Sequence, residues 1–226
     1  MSGSITLENR FGVNKMELIS LKYAIFVIVL LVLYYCFPKK YRWYVLLAGS
    51  MAYYVIICKW YVLFIIFTIC TTYGSTIWID KLLKEQNAIV KSHKEDWDRQ
   101  TRKEYKEKGR KKRVAVMLFA LLCNFGILAF LKYIPYAGEL GLLLPLGISF
   151  YTFQSMGYVM DVYREIVEPE KNFLKVALFV SFFPQIIQGP IAIYDKLAGQ
   201  LYEGHSLRLE NLQKGALLVL WGVIKK

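Results

Sequence analysis

The sequence predicts an all-α, polytopic transmembrane protein, and three observations carry that prediction. Hydrophobic residues make up 56% of the 226 positions and aromatic ones 16%, more apolar side chain than a soluble domain of this length buries. The apolar residues fall in long uncharged runs with basic residues collected between them, the pattern of helices that cross a bilayer and loops sorted by charge. Proline and glycine interrupt the later runs, so about six to seven membrane segments are expected, some broken or re-entrant, in an incomplete fold.

Taken in order, residues Met1 to Glu17 are polar and lie at the membrane surface. Leu18 to Phe37 is a first span, with Lys22 placed to reach an interface, and it ends in Phe37-Pro38-Lys39-Lys40 without a small-residue cleavage site, so it stays as an anchor. A short basic turn through Arg42 precedes a second span, Trp43 to Cys58. A third, Trp60 to Ile79, has tryptophans at both ends in the manner of an interfacial belt. Val114 to Leu131 makes a fourth.

The net charge of +12 sits mostly between these runs, so it is read as a topology signal, and no nucleic-acid partner is expected. Asp80 to Arg113 alone holds thirteen basic and seven acidic residues, a surplus of +6. It is expected to be a cytoplasmic basic loop within a single membrane domain spanning 1–226. Its mixed-sign pairs suit a solvated helix, and Arg110 to Arg113 abut the membrane, where anionic lipid or an acidic partner is the alternative to a pure topology role. The turn at Lys39 to Arg42 then lies inside as well, and the N-terminus outside. Cys36, Cys58, Cys70 and Cys123 lie in apolar runs without metal-ligand spacing and read as small buried hydrophobes.

The stretch from Leu140 to Met160 has twenty-one uncharged residues, about enough to cross a core of roughly 30 Å at 1.5 Å per residue. Pro145, Gly147 and Gly157 interrupt it, and Ser149, Tyr151, Thr152, Gln154, Ser155 and Tyr158 bring hydrogen-bonding groups that lipid cannot satisfy. Those groups face protein, as helix-packing contacts, or a wet cavity. Gln154, Tyr158 and Asp161 share a helical face, and Asp161 and Arg164, a turn apart, are expected to pair because a carboxylate at a helix C-terminus opposes the helix dipole. A further run, Val176 to Tyr194, is expected to break at Pro184 and Pro190, as a re-entrant turn or as the end of a crossing. Asp195 to Gln213 reads as a surface-lying amphipathic segment, on an undecided side. Gly215 to Ile224 is apolar for ten residues only, an unfinished span.

The two blocks LPLGISFYTFQSMGYVMDVYR, residues 144–164, and FFPQIIQGPI, residues 182–191, resemble the membrane-bound O-acyltransferases. The similar branch is the bacterial one with alginate O-acetyltransferase and the D-alanyl-lipoteichoic acid transfer protein, and the resemblance covers the N-terminal half of such a protein. It implies an integral protein of the bacterial cytoplasmic membrane that passes an acyl group, acetyl above all, from a cytoplasmic thioester donor through a helix-lined tunnel to hydroxyls of an envelope polysaccharide or glycopolymer. The implied partners, besides the lipid bilayer, are an acyl-carrier protein or an accessory envelope acyltransferase; no bound cofactor is implied. Gln154, Tyr158, Asp161, Tyr163 and Arg164, with Pro184, Gln185, Gly189 and Pro190, become the tunnel or substrate-binding candidates, and Arg164 the contact for a donor phosphate.

No Walker loop, dinucleotide-binding glycine pattern, nucleophile elbow or metal-binding histidine pair occurs. The family places its general base, a histidine, in a later membrane helix. The two histidines here, His93 and His205, fall in polar contexts, so neither is assigned as catalytic and the chain alone is expected to be inactive. The alternatives are a transporter or channel subunit, since a broken polar helix also describes substrate-binding spans, and a non-catalytic membrane scaffold.

Overall fold

The computed structural model describes residues 21–93, 97–133, 147–188 and 192–225. Within them the helices are α1 (Leu21–Cys36), α2 (Arg42–Cys58), α3 (Val62–Ser92), α4 (Arg99–Tyr133), α5 (Ile148–Tyr163), α6 (Phe173–Ser181), α7 (Phe183–Gln188), α8 (Tyr194–Tyr202) and α9 (Leu209–Ile224), with 3-10 turns at Lys39–Tyr41 and Lys59–Tyr61. No strand occurs among the described residues. Of the six to seven expected membrane segments, two helical stretches, Lys39–Ser92 and Arg99–Tyr133, are long and apolar enough to cross a membrane by themselves. Only 33% and 28% of their most apolar windows are buried, so they are not the enclosed core helices of a soluble protein. Their outer faces present Leu63, Ile66, Phe67, Phe119 and Leu122, an apolar surface that water disfavours and lipid accepts.

α3 and α4 form an antiparallel pair. Asn124, buried in the apolar part of α4, donates to Thr71 Oγ1 on α3 at 2.9 Å, the kind of polar contact that holds helices together where there is no water to compete. Thr72 and Thr76 return their hydroxyls to carbonyls one turn back, Thr68 and Thr72, so their polarity is satisfied within the helix.

The Asp80–Arg113 connection, expected to be a basic loop with charge pairs suited to a solvated helix, is a helical hairpin. α3 continues to Ser92 and α4 begins at Arg99. The charged residues pair one turn apart, Lys84 with Asp80 and Lys111 with Glu107, which lets a polar sequence stay helical outside an apolar environment. At 1.5 Å per residue the two arms extend about 20 Å beyond Ile79 and Val114. The Leu140 to Met160 run is also revised: its helix starts at Ile148, after Gly147 in left-handed geometry (φ 70°), and runs on to Tyr163. Pro145 lies outside the described residues. The Asp195 to Gln213 segment divides into α8, whose Tyr194, Ala198 and Leu201 are buried, a non-helical link, and the start of α9.

Contacts between distant segments sort the connections by end. Tyr73 on α3 donates to the Lys171 carbonyl, Arg113 approaches Glu165 at 3.9 Å, and Arg42 donates to the His205 carbonyl. The 38–42 turn, the 80–113 hairpin, the 164–172 link and the 203–208 link therefore gather at one end of the bundle. The placement of 203–208, undecided from sequence, is fixed by Gly204, whose Cα packs so closely that an added Cβ would lie 2.5 Å from the Lys39 carbonyl oxygen.

Candidate functional site: a helix pair that enters and returns

Both ends of the 173–202 segment lie together: the Tyr202 hydroxyl donates to the Lys175 carbonyl at 2.8 Å. Its far point lies beside the middle of α2 and the start of α5, where the Phe183 amide meets Ser50 and Ile186 crowds Gly147. The described parts of the segment lead away from that end and back to it, a path of the kind a re-entrant turn would take.

Local chemistry dictates this shape. Asn172 caps α6, its Oδ1 accepting from the Leu174 amide at 3.0 Å. Phe182 leaves helical geometry (ψ 104°), and Pro184 falls in the first turn of α7, where a missing N–H is harmless. In an unbroken helix the Phe183 N–H would bond the Phe179 carbonyl. The break separates that couple, and each half finds a side chain: the Phe183 amide donates to Ser50 Oγ at 3.4 Å, and Gln154 Nε2 donates to the Phe179 oxygen at 2.9 Å. Non-helical backbone at this depth is tolerated because protein groups satisfy it.

Nearer the common end, the Tyr158 hydroxyl accepts the Glu170 amide at 2.8 Å. The Tyr158 ring stacks on Tyr194 at 4.2 Å, and both rings meet Phe179 edge-on at 5.8 and 4.9 Å. Glu170 accepts from the Asn172 amide and pairs with Lys175 at 3.5 Å, and the Lys175 ammonium lies 4.9 Å over the Tyr202 ring. Burial pushes the Tyr202 phenol well above its ordinary range, so it remains a protonated donor at any physiological pH.

Gln154 and Tyr158 are thus brought together with α6 and α8, fully buried, with their polar ends bonded to backbone. Pro184 and Gln185 sit half-buried on α7, and the Gln185 Oε1 is buried without a partner among the described residues, as are Ser155 Oγ and Ser181 Oγ. Tyr163 packs against the edge of the core. Asp161 is half-buried and Arg164 exposed. The expected Asp161–Arg164 ion pair does not form. Among the described residues the ion pairs here are Arg113–Glu165 and Lys175–Glu170. The reason is the helix end: the Ile166 amide bonds the Asp161 carbonyl and the Glu165 amide the Val162 carbonyl, with Glu165 left-handed at φ 62°. This closure satisfies the last carbonyls with backbone amides and redirects the chain after Arg164. Gly189 and Pro190 lie outside the described residues.

The sequence reading missed Ser50, Phe179, Tyr194 and Tyr202 as partners of this face. Only Ser50 carried a signal, as one polar residue in an apolar run. His93 and His205 are exposed, His93 stacked on Trp97 at 4.9 Å and His205 Nε2 3.1 Å from the Gln200 carbonyl. Among the described residues no cluster of three His, Cys, Asp or Glu side chains suited to a metal occurs. The site is a wall of hydrogen-bonding and aromatic groups, suited to shaping and positioning.

No family model and no solved structure matches this chain. Curated proteins do. The chain is 40% identical over 84 residues to a probable alginate O-acetylase of Pseudomonas syringae pv. tomato, covering 37% of this chain and 16% of that protein. It is 34% identical over 109 residues to a probable alginate O-acetylase of Azotobacter vinelandii, covering 48% and 20%. It is 30% identical over 148 residues to a peptidoglycan O-acetyltransferase of Helicobacter pylori, covering 49% and 28%. The matches thus span 16% to 28% of these relatives' own lengths. This chain resembles bacterial O-acyltransferases of the alginate O-acetylase type, part of its length aligning with a part of each relative's.

Proposed function

We propose that this chain is the N-terminal part of a membrane-bound O-acetyltransferase that moves an acetyl group from a cytoplasmic thioester donor to hydroxyls of an envelope polysaccharide or glycopolymer. The observation that carries this reading is the similarity to proteins named for O-acetyl transfer to alginate and to peptidoglycan. The architecture is compatible with it: non-helical backbone inside a bilayer is tolerated where protein groups or a wet cavity satisfy it, as the polar face of α5 does for the break at Phe182. On this reading α5 to α8 form one wall of the passage. Arg164, exposed at the basic end, is available to a donor phosphate, and an acyl-carrier protein or accessory envelope acyltransferase meets the same end. The general base is expected outside the described wall, because His93 and His205 are both exposed.

Deleting the gene should remove base-labile acetyl esters from the envelope polymer, measured as acetate released by mild alkali, and the intact gene should restore them. Ester content unchanged by the deletion would sink the proposal. The purified 226-residue chain, given acetyl thioester and a hydroxyl acceptor, should show no transfer above the uncatalysed rate; turnover abolished by His205→Ala would make that residue the base.

The orientation follows from charge: the end carrying the hairpin faces the cytoplasm. Ser92, exposed and bonded to the Ile89 carbonyl and to the neighbouring His93 Nδ1, tolerates replacement by cysteine. In intact cells Ser92→Cys should resist a membrane-impermeant thiol reagent and react after permeabilisation. Labelling without permeabilisation would invert the topology.

A further inference from the structure

At the foot of the α3–α4 hairpin lies a groove of about 780 Å³, walled by the two arms and by Glu165 beyond α5. Lys103, Lys106, Arg110, Lys111 and Arg113 line it against two carboxylates, Glu107 and Glu165. A topology signal needs only a count of positive charges. Here the charges are held in place. Gln86 donates from Nε2 to the carbonyls of Tyr105 and Lys106 at 3.0 and 2.9 Å, and its Oε1 accepts from Arg113. Gly109 allows this: an added Cβ would lie 2.3 Å from Gln86 Nε2. Arg113, with a side chain only 11% exposed, spans from Gln86 to Glu165, and its Nε is buried without a partner among the described residues.

The groove's height points to its occupant. The apolar parts of the two arms end level with each other, at Ile79 and Val114. Leu83 and Arg110 are each four residues further along, about 6 Å up the axis, which is the depth of the headgroup layer between a hydrocarbon core of roughly 30 Å and a bilayer of about 40–45 Å. Trp78, 56% exposed at the same boundary, is placed as an interfacial anchor. Leu83 and Val114 give the groove an apolar lower edge, and the cations rise above it.

We propose that this groove binds the phosphate of an anionic phospholipid headgroup, with Arg110 contacting it and Lys106, about 12 Å up the axis, reaching down to it with its side chain, Gln86 and Arg113 fixing the floor, and Val114 meeting the start of the acyl chains. Arg113, paired with Glu165, joins that floor to the end of α5. Basic pockets of this kind between membrane helices are built for headgroup phosphates.

The test uses the full gene product in detergent, with phosphatidylglycerol, phosphatidylcholine or inorganic phosphate added, reading lipid retention by native mass spectrometry and the thermal midpoint. Phosphatidylglycerol should be retained and raise the midpoint. Lys106→Gln with Arg110→Gln, both exposed and free of a structural bond to the core, should weaken that retention by about tenfold or more. Lys81→Gln with Lys108→Gln removes the same charge outside the groove and should leave retention unchanged. Equal loss in both double variants would reduce the effect to general attraction and overturn the site. Equal retention of phosphatidylcholine, or displacement of phosphatidylglycerol by millimolar inorganic phosphate, would overturn the lipid assignment.

Discussion

Gly147→Val is expected to prevent stable folding. Gly147 is left-handed at φ 70°, and a Cβ there would lie 2.2 Å from Ile186 Cγ2 and 2.6 Å from the Ile186 carbonyl oxygen. A branched residue in that conformation costs about 1–3 kcal/mol in backbone strain, and forcing α7 away from α5 adds about 1–3 kcal/mol. The sum is a large part of the stability of a typical domain, about 5–15 kcal/mol. The measurement is the fraction of monodisperse protein after detergent extraction, with its thermal midpoint. Gly126→Ala and Gly157→Ala are the controls: both are helical, and nothing lies within 4 Å of the added atom. They should be neutral or stabilising by up to about 1 kcal/mol. A Gly147→Val protein that melts like the controls would show that α5 and α7 do not meet as described.

Gln154→Leu is the second large effect, because it strips the donor from a buried carbonyl. The leucine fits the volume but leaves the Phe179 oxygen unbonded, at a cost of about 1–3 kcal/mol. Gln154→Glu should be at least as damaging, since a carboxylate cannot donate and is costly to bury. Ser50→Ala deprives the Phe183 amide and belongs to the same range. The two orphaned groups flank one break, which Pro184 keeps from closing into a continuous helix, so the Ser50→Ala, Gln154→Leu double variant should cost about the sum of the singles. A double variant much less costly than that sum would mean that the helix closes across Phe182. Asp161→Asn, lacking the ion pair expected from sequence, should by contrast leave folded yield unchanged, because surface-accessible carboxylates contribute about 0–1 kcal/mol.

Much of this was legible in the residues. Uncharged runs end where charges begin, so the apolar parts of the helices between Leu21 and Tyr133 follow from hydropathy, while their charged extensions at 80–92 and 99–113 do not. Pro184 announces a break because it lacks a donor, and the family resemblance rests on two contiguous blocks that any fold would preserve in order. Periodicity also put Gln154 and Tyr158 on one face. It could not say what that face meets, because the partners, Phe179, Glu170 and Tyr194, stand far from them in the chain.

The hairpin shows the same division. Charge fixes its position between two spans, and its mixed-sign pairs suit a solvated helix; composition cannot show that the two arms pack against each other, through contact between Gln86 and the 105–109 stretch. The Asp161–Arg164 pair failed for the opposite reason, local spacing being overruled when the closure at Glu165 turned the chain aside. By itself the sequence determined where helices exist, where they break and which segments are too polar for lipid, because those depend on each residue's own solvation and backbone freedom. Only the tertiary structure decided which buried polar groups answer one another and at which end the chain returns, because those depend on distances between residues that the sequence keeps apart.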